Sequence, residues 1–257
     1  MEAIDLLRSS QNSFRRGHLV LLLITLLSCS KDEHVPQIVG FTLNEVEGFK
    51  VYIEDDYRNQ LPDEADEAVW YLALELSEIR RLITKDGILT ELEKVNIFLE
   101  RSYGIGKNMY YKSLIWPGEH YLRYQSIIIN NPYSFIKSSK GNWSLILHEM
   151  AHAFHNRVLG FNNSQIRQAF ANAMEKNLYE NFYAATDYKE YFAELTNAIF
   201  NNGQYRPRNR NELQAYDSLG FVTLHEIWLS PNDSLSNMKM TRQFLKNDSS
   251  VSSRHLQ

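Results

Sequence analysis

The chain has 257 residues, of which 44% are hydrophobic and 12% aromatic. That suffices for one sizeable packed domain and excludes wholesale disorder. Net charge is −4, with no long basic run, so nucleic acid is excluded as a partner.

The first predicted element is a signal peptide over residues 1–28. Arg15 and Arg16 form its positive end, Leu19 to Leu27 its short apolar run, and Ser28 a small residue at the cut. The run is too short and too sharply ended for a membrane span. Leu26-Leu27-Ser28-Cys29 resembles a bacterial lipobox, in which the cysteine is lipidated and becomes the new N-terminus. That likeness implies a cell-envelope protein anchored through Cys29 to the outer membrane of a Gram-negative bacterium and exposed at the cell surface. Cys29 is the single cysteine, so no intrachain disulfide can form and the fold must rely on its core and a metal. Residues 29–38 read as a linker, opening with the polar Ser30-Lys31-Asp32-Glu33 and containing Pro36.

A domain over 39–230 follows. Gly48 to Glu54 alternates apolar and polar residues and predicts a strand. Pro62-Asp63-Glu64 opens a helix, with proline early and acids in the first turn. Trp70, Leu74, Ile79 and Leu82 are expected on its apolar side, with Arg80 and Arg81 near its end. Val95 to Leu99 is a second strand. Residues 101–125 are rich in Gly, Tyr and Trp, and Pro117-Gly118 marks a turn. Gly104-Ile105-Gly106 lacks the third glycine and following helix of a phosphate loop. Gln125 to Asn130 is a third strand, expected at a sheet edge. Asn142 is placed to cap a helix from Trp143 to Leu159, ended by Gly160. Further helices are expected over Ser164 to Leu178, Tyr188 to Phe200, and Asn211 to Leu229 with a break near Gly220. After Pro231 the chain is rich in Ser and Asn, so 231–257 reads as a flexible tail. Strands first and helices later define an α+β domain, with a small mixed sheet followed by a mostly helical half.

His148-Glu149-Met150-Ala151-His152 is the segment that carries chemistry. Residues i and i+4 share a helix face, so both histidines can point at one ion. Glu149 sits on the adjacent edge, within reach of an activated water, as in zinc hydrolases. A catalytic zinc needs a third protein ligand and one open position. A metzincin would place a histidine at position 158, which is Val158, so that class is excluded. His155, one turn past His152, is too close in sequence to complete the site and is assigned to the cleft wall, to the support of a ligand, or to a simple polar contact. Glu190 and Glu194, four apart on the later helix, supply the missing carboxylates. Glu190 is expected to ligate Zn2+. Glu194 is expected to accept the ring N–H of a ligand histidine, His148 in the first instance, fixing its tautomer.

The two segments together resemble the gluzincin zinc metallopeptidases, with a zincin-like fold. The more specific likeness is to the anthrax lethal-factor type of catalytic domain, whose Glu-aromatic-Phe-Ala-Glu run is matched by Glu190-Tyr191-Phe192-Ala193-Glu194. That family carries a tyrosine seven residues before the ligand glutamate, here Tyr183, whose phenol donates to the oxyanion. Stabilising charge that develops only in the transition state is a sound use of such a donor. The likeness covers about residues 45–230 and extends to Tyr183-Ala184-Ala185-Thr186 and to Tyr205 to Trp228. In relatives of thermolysin the position of Glu194 is often aspartate, so its longer arm leaves its bond partner open. The resemblance implies a zinc metalloendopeptidase acting on a peptide or protein substrate, with Glu149 as general base. Two other readings remain: a surface-anchored zinc-binding protein without peptidase activity, and a hydrolase of a non-peptide amide.

Overall fold

The computed structural model describes residues 37–101, 108–111, 120–141 and 143–229. Cys29 and the signal peptide, Gly104-Ile105-Gly106, Pro117-Gly118, Asn142 and the tail over 231–257 lie outside them. No helix of the described residues is long and apolar enough to cross a membrane.

Strands β1 (Phe41–Val46) and β2 (Phe49–Glu54) form a hairpin. Glu47 and Gly48 join them with positive φ angles of 51° and 81°. Two such residues make a turn whose twist matches that of the strands, and glycine takes its half without steric cost. Strands β3 (Ile97–Leu99), β4 (Met109–Tyr111) and β5 (Ser126–Ile129) complete a sheet of order β1-β2-β3-β5-β4. The three inner strands are parallel, and β1 and β4 are antiparallel edges. Inner parallel strands are covered on both faces and so read as unbroken apolar runs. Val51, Ile53, Ile97, Leu99, Ile127 and Ile129 face the main core, while Tyr52, Phe98 and Ile128 pack with Ile38 on the opposite face. The expectation that β5 forms the sheet edge is corrected. It lies between β3 and β4, and the edge strand among the described residues on that side is β4, which packs beside the helix carrying His148 and His152.

After the short helix α1 (Asp55–Gln60), α2 (Pro62–Leu82) begins with proline and two acids and ends with Arg80 and Arg81, as expected from the macrodipole. Its buried stripe is Ala65, Ala68, Leu72, Leu76, Ile79 and Leu82. Trp70 projects the other way and is 54% exposed, which corrects the expected apolar side. The helical period places the smaller Ala65 and Ala68 on the buried stripe and leaves the bulkier tryptophan outside it. Helices α3 (Ile88–Leu92) and α4 (Pro132–Ser139) are additions to the sequence reading.

The helical half contains α5 (Leu145–Phe154), a π-helical turn His155–Leu159 ended by Gly160 (φ 74°), and α6 (Ser164–Glu175). It continues with α7 (Tyr188–Ile199), α8 (Arg210–Tyr216) and α9 (Ser218–Trp228). The break before α9 falls at Asp217, not at Gly220 as expected. Asp217 caps α9 by accepting the Gly220 N–H, and glycine sits at 220 because a Cβ there would strike the Tyr191 hydroxyl and the Asp217 carboxylate. Buried Trp228 donates to Thr196 Oγ1 at 2.9 Å and packs on Phe154, Phe192 and Phe200, locking α9 onto α5 and α7. The architecture is α+β: a five-stranded mixed sheet with a mostly helical second half.

Candidate metal centre

Helix α5 starts where Ser144 accepts the Leu147 N–H at 3.1 Å. This first turn is bolted down from two sides. Buried Glu75 of α2 accepts from Ser144 Oγ at 2.5 Å and from the Ile146 N–H at 3.0 Å. Asn197 Oδ1 of α7 accepts the Ser144 N–H at 3.3 Å. All ten residues of α5 are buried, so its two histidines and Glu149 are held inside the domain and not on a solvated face. Helix α7 is capped by Asp187, whose side chain accepts from the Lys189 and Glu190 N–H groups at 2.7 and 3.0 Å. That cap fixes the first turn of α7, where Glu190 sits.

The packing of α5 on α7 brings three expected residues together. His148 Nε2 and His152 Nε2 are 3.1 Å apart, and each is 3.2 Å from Glu190 Oε2. His148, His152 and Glu190 form a largely buried group that can hold a metal ion, with one donor atom each. Like-sided imidazole nitrogens and a carboxylate oxygen at such spacing share one focus, which suits a cation better than a hydrogen-bond chain.

The other expected residues surround this focus. Glu194 Oε1 lies 3.1 Å from His148 Nδ1, the ring nitrogen turned away from the focus, though it approaches obliquely to the N–H direction. Glu149 is 6% exposed, and its Oε2 accepts the Tyr110 N–H of strand β4 at 2.6 Å. Tyr183 lies in a single 3-10 turn, Tyr183–Ala185, just before the α7 cap; its ring centroid is 6.3 Å from that of His148. The side chain is 53% exposed and opens onto a cleft also lined by Phe182, Glu194, Tyr205 and Arg206. His155 is fully buried in the π turn, its ring against Phe161, Tyr188 and Phe192. Neither of its ring nitrogens has a hydrogen-bond partner among the described residues.

The electrostatics follow from this placement. Burial by itself lowers the His148 pKa, but the Glu190 and Glu194 carboxylates outweigh it and raise the value. Burial alone raises Glu190, but the two histidines outweigh it and hold it well below the usual carboxylate range. Burial pushes Glu149 up despite the neighbouring histidines and the Tyr110 N–H, which lower it. Burial and the Glu190 and Glu149 charges push the Tyr183 phenol up to about 12, so it remains a donor at neutral pH.

Three contributors were not singled out in the sequence: Glu75, Asn197 and Tyr110. Glu75 left a signal, as a carboxylate inside the stripe of Leu72, Leu76 and Ile79. Asn197 and Tyr110 left none. The Tyr110 contribution comes from a main-chain atom, which every residue but proline has. Protein-family models, curated proteins and solved structures all give no match to the chain.

Proposed function

We propose that the protein is a zinc-dependent metallopeptidase of gluzincin type, built on a zincin-like fold. The observation that carries this reading is the mutual 3.1–3.2 Å spacing of His148 Nε2, His152 Nε2 and Glu190 Oε2, with the buried Glu149 beside them. Ligands of a tetrahedral zinc with bonds near 2.0–2.1 Å stand about 3.3–3.4 Å apart. The three donors need to spread by only about 0.2 Å to meet that geometry. Two imidazoles and one carboxylate also match the donor set of catalytic zinc sites, which keep a fourth position open.

Bound there, zinc supplies a Lewis acid and acidifies water towards neutral pH. The chain's own groups do the rest. Glu149 takes the proton of the attacking water and delivers it to the leaving amine. Its raised pKa suits a group that must both accept and release a proton. The Tyr183 phenol, facing the cleft and protonated, donates to the oxyanion as charge develops. Glu194 fixes the His148 ring so that Nε2 faces the focus. The outer edge of β4 offers main-chain groups to an extended peptide. The lipobox-like Leu26-Leu27-Ser28-Cys29 supports a cell-envelope location for the domain, with a lipid anchor at Cys29.

The test is peptide-library cleavage by the protein expressed from Ser30 onward, with and without a chelator. Cleavage abolished by chelation, restored by zinc and lost in Glu149→Gln supports the reading. Stoichiometric zinc with no cleavage of any peptide would point instead to a zinc-binding protein or a hydrolase of another amide.

A further inference from the structure

Among the described residues strand β4 is an edge, so alternate main-chain groups along it point away from the sheet. In an antiparallel pair the N–H and C=O of one residue face the same side, and bonded pairs alternate with unbonded ones. Tyr110 stands opposite Ile127, between the Met109–Ile128 and Tyr111–Ser126 pairs. Its N–H is turned towards α5 and donates to Glu149 Oε2 at 2.6 Å. That is short for an N–H···O bond. The two residues are 9% and 6% exposed, so water competes little for the contact. The Tyr110 phenol accepts from Asn156 Nδ2 at 3.1 Å. Glu149 and Asn156 are seven residues apart, about two helical turns. One tyrosine therefore grips the same face of the active-site rod at two points, by its main chain and by its ring.

We infer that Tyr110 is a positioning residue for Glu149. Its main-chain N–H holds one carboxylate oxygen and leaves the other to work as the base. This rests on the reading of Glu149 as the base. A glutamate has three side-chain torsions, and a misplacement of about 1 Å at a reacting group can cost about 10²-fold in rate. Nothing but the N–H of Tyr110 carries the role, so substitution of the side chain leaves it intact. The bond also restricts the substrate: a peptide laid along β4 finds the Tyr110 N–H already engaged and is left with its carbonyl as acceptor.

Two substitutions separate the main chain from the ring. Tyr110→Ala loses the phenol and keeps the N–H; Tyr110→Pro loses both. The N–H lies outside the strand ladder, so proline is admissible at this edge position. On a peptide found by library cleavage, the step from Ala to Pro is expected to lower kcat by about 10²-fold with KM little changed. An ester bond in place of the amide preceding Tyr110, with the side chain intact, removes the same N–H without the proline ring and should reproduce the loss. Independently of activity, the Tyr110 amide of metal-free protein should exchange its hydrogen slowly in the wild type and fast in Glu149→Ala. Failure of the underlying site reading shows as a wild type that cleaves no peptide. Failure of this inference shows as an active wild type whose Tyr110 amide exchanges as fast as in Glu149→Ala, or whose proline and ester forms turn over like the alanine form.

Discussion

His155 should make the fold sensitive to acid. Its ring is enclosed by Phe161, Tyr188 and Phe192 at centroid distances of 5.0–5.9 Å. Burial, aided by His152 and Lys189, lowers its pKa from 6.5 to about 4. The unfolded chain then binds the proton near pH 6.5, and the folded chain only near pH 4. Between those values the unfolded state holds more protons, so stability falls as pH falls. The neutral ring's contribution is fully present above pH 6.5 and is lost by the time pH drops through about 4. At about 1.4 kcal/mol per tenfold change in proton affinity, the whole loss is about 3 kcal/mol. That is a large share of the roughly 5–15 kcal/mol that holds an ordinary domain together. His155→Leu removes the titrating group and keeps an apolar side chain among the rings. Denaturant unfolding of both metal-free proteins between about pH 7 and about pH 4 is the assay. The stability of the leucine form relative to the wild type should rise by about 3 kcal/mol across that range. A difference that stays flat with pH would refute the argument.

Glu149→Gln should lower kcat by about 10²–10⁴-fold while zinc binds one per chain, checked by steady-state kinetics beside metal analysis. Glu194→Ala should weaken zinc by about 10–100-fold in a chelator competition, because the His148 ring loses its outer contact; unchanged affinity would remove Glu194 from that role. Gly220→Ala should destabilise by about 1–3 kcal/mol, measured by thermal unfolding, since the new Cβ meets the Tyr191 hydroxyl and the Asp217 carboxylate.

What could be read from the sequence depended on whether the signal was local. Strands β3 and β5 announce themselves as short apolar runs, and β2 by the alternation over Gly48 to Glu54. The i, i+4 spacing of His148 and His152, and of Glu190 and Glu194, is a property of each helix alone. That the two helices meet with His148, His152 and Glu190 at one focus is a tertiary fact, set by Trp228 packing and the Asn197 to Ser144 bond. Strand β4 escaped because three residues in a Gly- and Tyr-rich stretch give no period. The break at Asp217 escaped because glycine is the commoner breaker. Here glycine answers to close packing, and the capping carboxylate sets the helix start.

The central claim is that His148, His152 and Glu190 together hold one zinc ion. X-ray absorption of protein loaded with one zinc per chain tests it most directly. The account predicts a nitrogen and oxygen shell at about 2.0–2.1 Å containing two imidazoles, with the imidazole signal halved in His152→Ala and tight binding lost in Glu190→Ala. A shell without imidazole, or one unchanged by either substitution, would contradict it.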